Sequence, residues 1–248
     1  MRIQFLGTAG SSITALRNNS SILIDNDLLI DAGEGTTQRL LQLGAFNSIK
    51  TILISHLHVD HFIGIFSFLW KKWLTNEKDL ITIYGPPNIQ SAINQILTLT
   101  TTPVDTFSVE IYYVPLDPKY KIIRIGEIST IQVIHPIYTL AFRIDREKSV
   151  CYSSDTAPFH RIISLAKGCD LLIHDCSFLN WKSELAHKYY HSTPRDAAKI
   201  ANKANVKKLA IFHISDENND SLEQYKQEAE EFFNGEVVLA NDMEIIEL

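Results

Sequence analysis

The sequence predicts a four-layer αββα sandwich of the mixed α/β class, on three observations. Short apolar strand-like segments alternate with helical ones along the whole chain, the two halves share that grammar, and no segment of linker composition separates them. Sheets built this way bury one face against each other and the opposite face under helices, which stacks the layers in the order α, β, β, α. A length of 248 residues, 45% hydrophobic and 21% charged, suits one domain over residues 1–248 with one large core.

The elements follow in order. Residues 2–6, 20–24 and 28–31 read as adjacent antiparallel strands, with Asp25-Asn26-Asp27 as a hairpin turn. Residues 34–43 suit a helix that stops at Gly44, and 51–54 form a buried strand. A strongly apolar helix is expected over 61–74, a strand over 80–84, and a helix over 88–99 after Gly85-Pro86-Pro87. The second half repeats the pattern. Strands are expected near 107–114, 121–123, 128–134, 141–145 and 149–153, then at 170–174, 207–213 and 236–240. Helices are expected near 159–166, 193–204 and 222–233.

Composition narrows the function classes. A formal net charge of −6 leaves no global basic surface, so contact with nucleic acid has to come from a local cluster or a partner subunit. Cys151, Cys169 and Cys176 lack any Cys-x-x-Cys pairing and sit in or beside apolar runs, as reduced core thiols do, which points to a cytoplasmic setting. The longest dense apolar run, 62–70, is too short to cross a bilayer, and a strand rather than a signal peptide opens the chain; no membrane role is expected.

The chemistry concentrates in His56-Leu57-His58-Val59-Asp60-His61, directly after the apolar strand. Side chains two apart in an extended segment share a face, so His56 and His58 can grip one cation. As the chain turns into the next helix, Asp60 and His61 are re-aimed towards a second. Three imidazoles and a carboxylate desolvated together without a partner would cost several kcal/mol, which a bound cation removes.

Further ligand types fall at strand ends, where ligands gather in open sheets: His135, Asp155 and His213 each follow an apolar strand. The full assignment places His56, His58 and His135 on one metal and Asp60, His61 and His213 on the other, with Asp155 bridging both. Imidazole and carboxylate without thiolate favour Zn²⁺, with Mn²⁺ or Fe²⁺ possible. Two such cations roughly 3.5–4 Å apart activate a water and clamp a displaced oxygen, which is hydrolytic chemistry.

His-Leu-His-Val-Asp-His followed by His, Asp and His in this order resembles the metallo-β-lactamase superfamily and, within it, ribonuclease Z. The resemblance extends over Phe5-Leu6-Gly7-Thr8-Ala9-Gly10, Asp31-Ala32-Gly33-Glu34-Gly35-Thr36-Thr37, Tyr84-Gly85-Pro86, Ser154-Asp155-Thr156 and His213-Ile214-Ser215. It implies the αββα fold, two zinc ions, phosphodiester hydrolysis by a metal-activated water at Asp60, and a homodimer. His174-Asp175-Cys176-Ser177 stands near the family's Glu-containing motif, with Asp175 in place of Glu. Paired with His191, Asp175 forms a candidate general-acid couple for the leaving alkoxide. Arg17-Asn18 matches a family loop and is a candidate phosphate contact, although Ile13 stands where Pro is usual.

The largest departure lies between His135 and Asp155, where many ribonuclease Z proteins insert a long arm that grips tRNA; here only residues 136–154 intervene. A compact relative, the phosphonate-pathway phosphodiesterase acting on cyclic phosphates, is similar in this shortness, in Asp175-Cys176-Ser177 and in Asn241-Asp242-Met243-Glu244-Ile245. The expected function is therefore a binuclear phosphodiesterase acting on RNA ends or small or cyclic phosphodiesters, with tRNA 3′-end processing as the alternative. Flavodiiron chemistry would replace His58 by Glu, β-lactam hydrolysis would place Cys at Asp155, and a non-catalytic module would break a ligand position; none applies. A glyoxalase-type thioesterase shares the first motif but leaves Gly33-Glu34-Gly35-Thr36 unexplained.

Overall fold

The computed structural model describes residues 1–75, 79–103, 109–215 and 222–248. In the first half these form β1 (Arg2–Gly7), β2 (Ser21–Ile24), β3 (Leu28–Ile30), α1 (Thr36–Gln42), β4 (Thr51–Leu53), α2 (Val59–Phe62), α3 (Gly64–Thr75), β5 (Leu80–Gly85), α4 (Ile89–Leu99) and β6 (Glu110–Pro115). The second half contains β7 (Ile123–Ile125), β8 (Ile128–Gln132), β9 (Leu140–Asp145), β10 (Ser149–Tyr152), α5 (Ile162–Leu165), β11 (Leu171–Asp175), α6 (Ser183–Lys188), α7 (Pro194–Ala204), β12 (Lys208–Phe212), α8 (Leu222–Glu230), β13 (Glu236–Leu239) and β14 (Ile245–Glu247).

Two seven-stranded sheets result, ordered β14-β1-β2-β3-β4-β5-β6 and β13-β12-β11-β10-β9-β8-β7. Both are mixed: β1 to β3 pair antiparallel while β3 to β6 pair parallel, and β10 to β13 pair parallel beside an antiparallel β7 to β10. Alternation along each strand sends its side chains into separate cores. Phe5, Ile22, Leu53, Phe142, Tyr152 and Phe212 pack between the sheets. Leu23, Ile52, Ile65, Phe68 and Ile93 pack under the helices of the first sheet, and Cys151, Leu172, Ala198 and Leu209 under those of the second. The αββα layering expected from the sequence is present, and all three cysteines are buried free thiols.

Local signals explain most boundaries. Asp25 and Asn26 take left-handed φ values of 48° and 66° in the β2–β3 turn, a conformation Asp and Asn tolerate. Gly44, at φ 68°, follows α1. Thr193 and Asp196 form a reciprocal capping box at the start of α7, with Pro194 in its first turn.

Other boundaries depart from the sequence reading. The helix expected over 61–74 is two, α2 and α3, because the Gly64 N–H bonds Ala32 O at 2.8 Å across the fold instead of continuing one helical ladder. Strand β14 is too short and charge-flanked to read as a strand; pairing with β1 through Arg2↔Glu247 and Ile3↔Ile246 makes it one. Helix α6 carries no apolar periodicity and went unanticipated. The helices expected over 159–166 and 222–233 are shorter, at Ile162–Leu165 and Leu222–Glu230. Residues 107 and 108 of an expected strand lie outside the described residues.

The close contact at Gly64 also positions the motif helix. A Cβ there would stand 2.0 Å from Gly33 O, and one at Gly33 would stand 2.4 Å from Asp60 O. The β3–α1 turn therefore rests backbone to backbone against the segment carrying Asp60 and His61. Gly64→Ala is expected to cost about 2–4 kcal/mol by forcing these backbones apart. Urea unfolding tests this, and stability within about 0.5 kcal/mol of the parent would show that the contact yields freely.

Candidate metal centre

Seven side chains converge where strand ends of the two sheets meet. The first sheet supplies His56 and His58 from the segment after β4 and Asp60 and His61 from α2. The second supplies His135 beyond β8, Asp155 beyond β10 and His213 directly after β12. Among the described residues, ligand atoms of His56, His58, His135 and Asp155 form one compact group, and those of Asp60, His61, Asp155 and His213 a second. Asp155 belongs to both, as the sequence assignment requires.

The spacings match a coordination shell. With Zn–N near 2.0–2.1 Å, neighbouring ligand atoms of a tetrahedron lie about 3.3 Å apart. In the second group His61 Nε2 stands 3.2 Å from His213 Nε2 and 3.4 Å from Asp60 Oδ2, and His213 Nε2 stands 3.3 Å from Asp60 Oδ2. Asp155 contributes Oδ1 at 3.3 Å from His61 and Oδ2 at 3.3 Å from His213. In the first group the spacings are 3.1 Å for His56–His58 and 3.2 Å for His58–His135, with Asp155 Oδ2 at 3.8 Å and 4.0 Å from His56 and His135.

Outer partners decide which nitrogen each ring presents. His61 Nδ1–H donates to Asp31 Oδ2 at 2.7 Å, and His56 Nδ1–H to Ser55 Oγ at 2.9 Å. The Ser55 hydroxyl in turn donates to Asp31 Oδ2 at 2.8 Å, so one carboxylate orients an imidazole of each group. His135 Nδ1–H bonds Tyr190 O, and His213 Nδ1–H bonds Ser177 Oγ at 2.9 Å. With Nδ1 protonated on His61 and His213, two Nε2 lone pairs face each other at 3.2 Å and need a proton or a cation between them. Asp155 Oδ1 is buried without a hydrogen bond. Orphaned acceptors of this kind fit divalent cations.

The electrostatics call for positive charge at His61, where burial is outweighed by Asp155, Asp60 and Asp31 and the imidazole is raised well above the ordinary range, so that a proton or a cation must sit there. Burial pushes His56 and His58 below the ordinary histidine range and His135 down to about 4, leaving lone pairs free for a metal. Burial alone would raise the Asp155 carboxyl, but His213 and His61 hold it well below the usual range. Burial likewise opposes ionisation of Asp60, and His61 and His213 overcome it.

Beside the centre lies a cleft of about 300 Å³, lined in part by His58, Asp60, Asp155, Phe178, Tyr189 and His191. His191 Nδ1 is 2.9 Å from Asp175 Oδ2, and its ring stacks on His213 with centroids 5.3 Å apart. Burial disfavours the imidazolium, but the Asp175 carboxylate outweighs it and raises His191 to about 9. Asp175 does not line the cleft. It accepts from Thr156 N, Ser177 N, Ser177 Oγ and Ser192 N as well as from His191, which makes it a buried support rather than a group that meets substrate.

Comparison with known proteins places this geometry. The Beta-lactamase superfamily domain model matches residues 26–214. Ribonuclease Z of Picrophilus torridus is 31% identical, covering 94% of this chain and 91% of its own, and ribonuclease Z of Haloarcula marismortui is 30% identical, covering 98% and 95%. The chain belongs to the ribonuclease Z family. It is accordingly a metal-dependent hydrolase of the endoribonuclease and phosphodiesterase type. The short form of human tRNase Z shares the fold, with a TM-score of 0.82 at 24% identity over 100% of this chain and 99% of that one. So does a diphosphatase of the PhnP family, with a TM-score of 0.71 at 19% identity over 100% and 97%. The Haloarcula alignment spans 298 positions against the 248 residues present here, so at least 50 positions of that alignment have no counterpart in this chain.

Two expected contacts need correction. Arg17 does not line the cleft: its guanidinium is buried and donates to Thr8 Oγ1, to Ala240 O at 2.8 Å and to Asn241 Oδ1 at 2.8 Å. With its donors engaged, Arg17 ties the 13–18 loop to the C-terminal segment. Asn18 bonds Asp242 Oδ2 through its backbone N–H and borders a separate cavity beside Glu34, Gly35 and Val59. Sequence reasoning also missed the roles of Asp31 and Ser177. The position of Asp31, a strand-end carboxylate before Gly33-Glu34-Gly35, was the available signal.

Because Asp31 supports one imidazole of each group, Asp31→Ala is expected to weaken metal binding about 10 to 100-fold. Competition against a chelator measures it. Unchanged affinity would mean the imidazoles are held by packing alone.

Proposed function

We propose that this ribonuclease Z family member holds two zinc ions, one on His56, His58 and His135 and one on Asp60, His61 and His213, with Asp155 shared. Bound there, the cations supply an activated water and neutralise charge on a phosphodiester. The reading rests above all on the single carboxylate, Asp155, that belongs to both ligand groups.

The chain's own residues divide the remaining work. His191 borders the cleft beside His213 and His135 and protonates the leaving oxygen, while Asp175 holds its Nδ1 and sustains the imidazolium. Ser177 keeps His213 and His191 in register through one hydroxyl oxygen. Asp60, which borders the cleft, orients the attacking water. Asp175 is thus a positioning residue, and its shorter reach relative to Glu is met by its direct 2.9 Å bond to His191.

The substrates we assign are RNA ends and small or cyclic phosphodiesters, in a cytoplasmic homodimer. Maturation of tRNA 3′ ends is the second reading, favoured by the names of the Picrophilus and Haloarcula relatives. The short interval 136–154, filled by β9 and β10, argues for smaller or less structured substrates, since it leaves no room for a projecting arm.

Elemental analysis is expected to find two zinc-class ions per chain; fewer than one would refute the binuclear assignment. His191→Ala should slow hydrolysis of RNA, a poor leaving group, by roughly 10² to 10⁴-fold. It should spare bis-p-nitrophenyl phosphate, whose nitrophenolate needs little protonation. Equal losses on both substrates would remove His191 from the proton-transfer role.

A further inference from the structure

We infer that the groove between β7 and α5 binds the phosphate backbone of the RNA substrate. The inference rests on the proposed action on RNA and adds a second contact surface outside the metal centre. Two adjoining cavities of about 510 and 480 Å³ share Ile122 and Ser164 and form one open groove. Lys121, His160 and Arg161 line the first cavity, and Arg124 and Arg143 the second.

The charge of the groove contrasts with that of the chain. In a protein of formal charge −6, Lys119, Lys121, Arg124, Arg161 and Lys167 are all exposed, and among the described residues none is engaged in an ion pair. Arg124 meets only Gly126 O, and Arg161 only Tyr120 O. Arg143 is the exception, paired with Asp145 at 2.8 Å. Asp145 itself lines the second cavity, while Glu127 is paired with Arg146 at 2.7 Å and Asp117 accepts from Tyr138. Such a one-sided field attracts polyanions.

Cations on an edge strand also discourage strand pairing, and β7 is an edge. That role explains Arg124 but not His160 and Arg161, which line the same groove from the loop before α5. Tyr120 adds a half-exposed ring beside Lys121, with Phe159 packed at 6.0 Å. Base stacking on such a ring tolerates any sequence.

The groove lies within reach of the reacting phosphate. His160 is five residues beyond Asp155, so their Cα atoms are no more than about 18 Å apart. Gln132, three residues before His135, bonds Lys119 O at 2.8 Å, and Ala157 bonds Ile134 O at 2.9 Å, which ties the groove to both ligand loops. An RNA with one phosphate at the centre can lay its next few phosphates along these cations.

The test compares the metal-loaded parent with Lys121→Gln/Arg124→Gln/Arg161→Gln and with Lys50→Gln, an exposed cation directly before β4 in the other sheet. A fluorescent, cleavage-resistant RNA reports affinity by anisotropy across a salt series; cleavable RNA and bis-p-nitrophenyl phosphate report turnover. The triple variant should bind RNA at least about 10-fold more weakly at low salt, and its log-affinity against log-salt slope should be shallower by about 2 to 3. Its KM for RNA should rise with kcat kept, and bis-p-nitrophenyl phosphate turnover should be unchanged. Lys50→Gln should match the parent. Unchanged RNA affinity and slope in the triple variant, or an equal loss in Lys50→Gln, overturns the groove. Loss of bis-p-nitrophenyl phosphate turnover in the triple variant also overturns it, because the damage then reaches the centre. A parent that hydrolyses neither substrate refutes the phosphodiesterase reading, and anisotropy still decides the groove.

Discussion

The Asp155 carboxylate, buried between imidazoles from both sheets, is the constraint on which the arrangement depends. His61 and His213 approach it at 3.3 Å and His56 and His135 at 3.8 and 4.0 Å. A carboxylate this deeply desolvated stays ionised only while positive charge surrounds it. The two sheets must therefore present their loops to one point. The interlayer core of Phe5, Leu53, Tyr152 and Phe212 fixes the sheets against each other and so sets the distance across the centre. Local strain accompanies this convergence. Asp31, Ser154 and His213 adopt left-handed φ values of 56°, 53° and 59°, which non-glycine residues hold only where surrounding structure compels it.

A common device supports the reactive groups on each side. In the first sheet Asp31 sits beneath His61 directly and His56 through Ser55, and it also receives the Tyr152 hydroxyl from the opposite sheet at 3.0 Å. In the second, Asp175 sits beneath His191 directly and reaches His213 through Ser177. Each buried carboxylate thus governs two imidazoles through one direct bond and one hydroxyl relay. On the Asp31 side the relay leaves Nε2 atoms facing the centre. On the Asp175 side it serves His213, within the second group, and His191 beside it, so both rings share a single support.

The short interval between His135 and Asp155 alters how a substrate can be held. Relatives carry at least 50 aligned positions that this chain lacks. Arg17, a candidate for phosphate contact, instead anchors the N-terminal loop to Ala240 and Asn241. Lys121, Arg124 and Arg161 on the β7–α5 groove gather positive charge in an otherwise acidic chain. Electrostatic attraction of this kind needs no inserted arm, only several cations spaced along one path.

That these His and Asp side chains gather in two groups sharing Asp155 was readable from the sequence, because strand ends and a two-residue periodicity confine where such side chains can point. The αββα layering followed from the same alternation of apolar strands and helices. Tertiary structure alone decided the rest. That Arg17 is a buried tie, that Asp31 and Ser177 orient the imidazoles, and that Gly64 breaks the motif helix all depend on partners tens to hundreds of residues away. Strand β14 exists through pairing with β1 across nearly the whole chain. Periodicity records which face of an element is buried. It carries no record of which distant donor meets which acceptor, and in this protein those long-range hydrogen bonds distinguish the carboxylates that hold imidazoles in place, Asp31 and Asp175, from those among the clustered groups, Asp60 and Asp155.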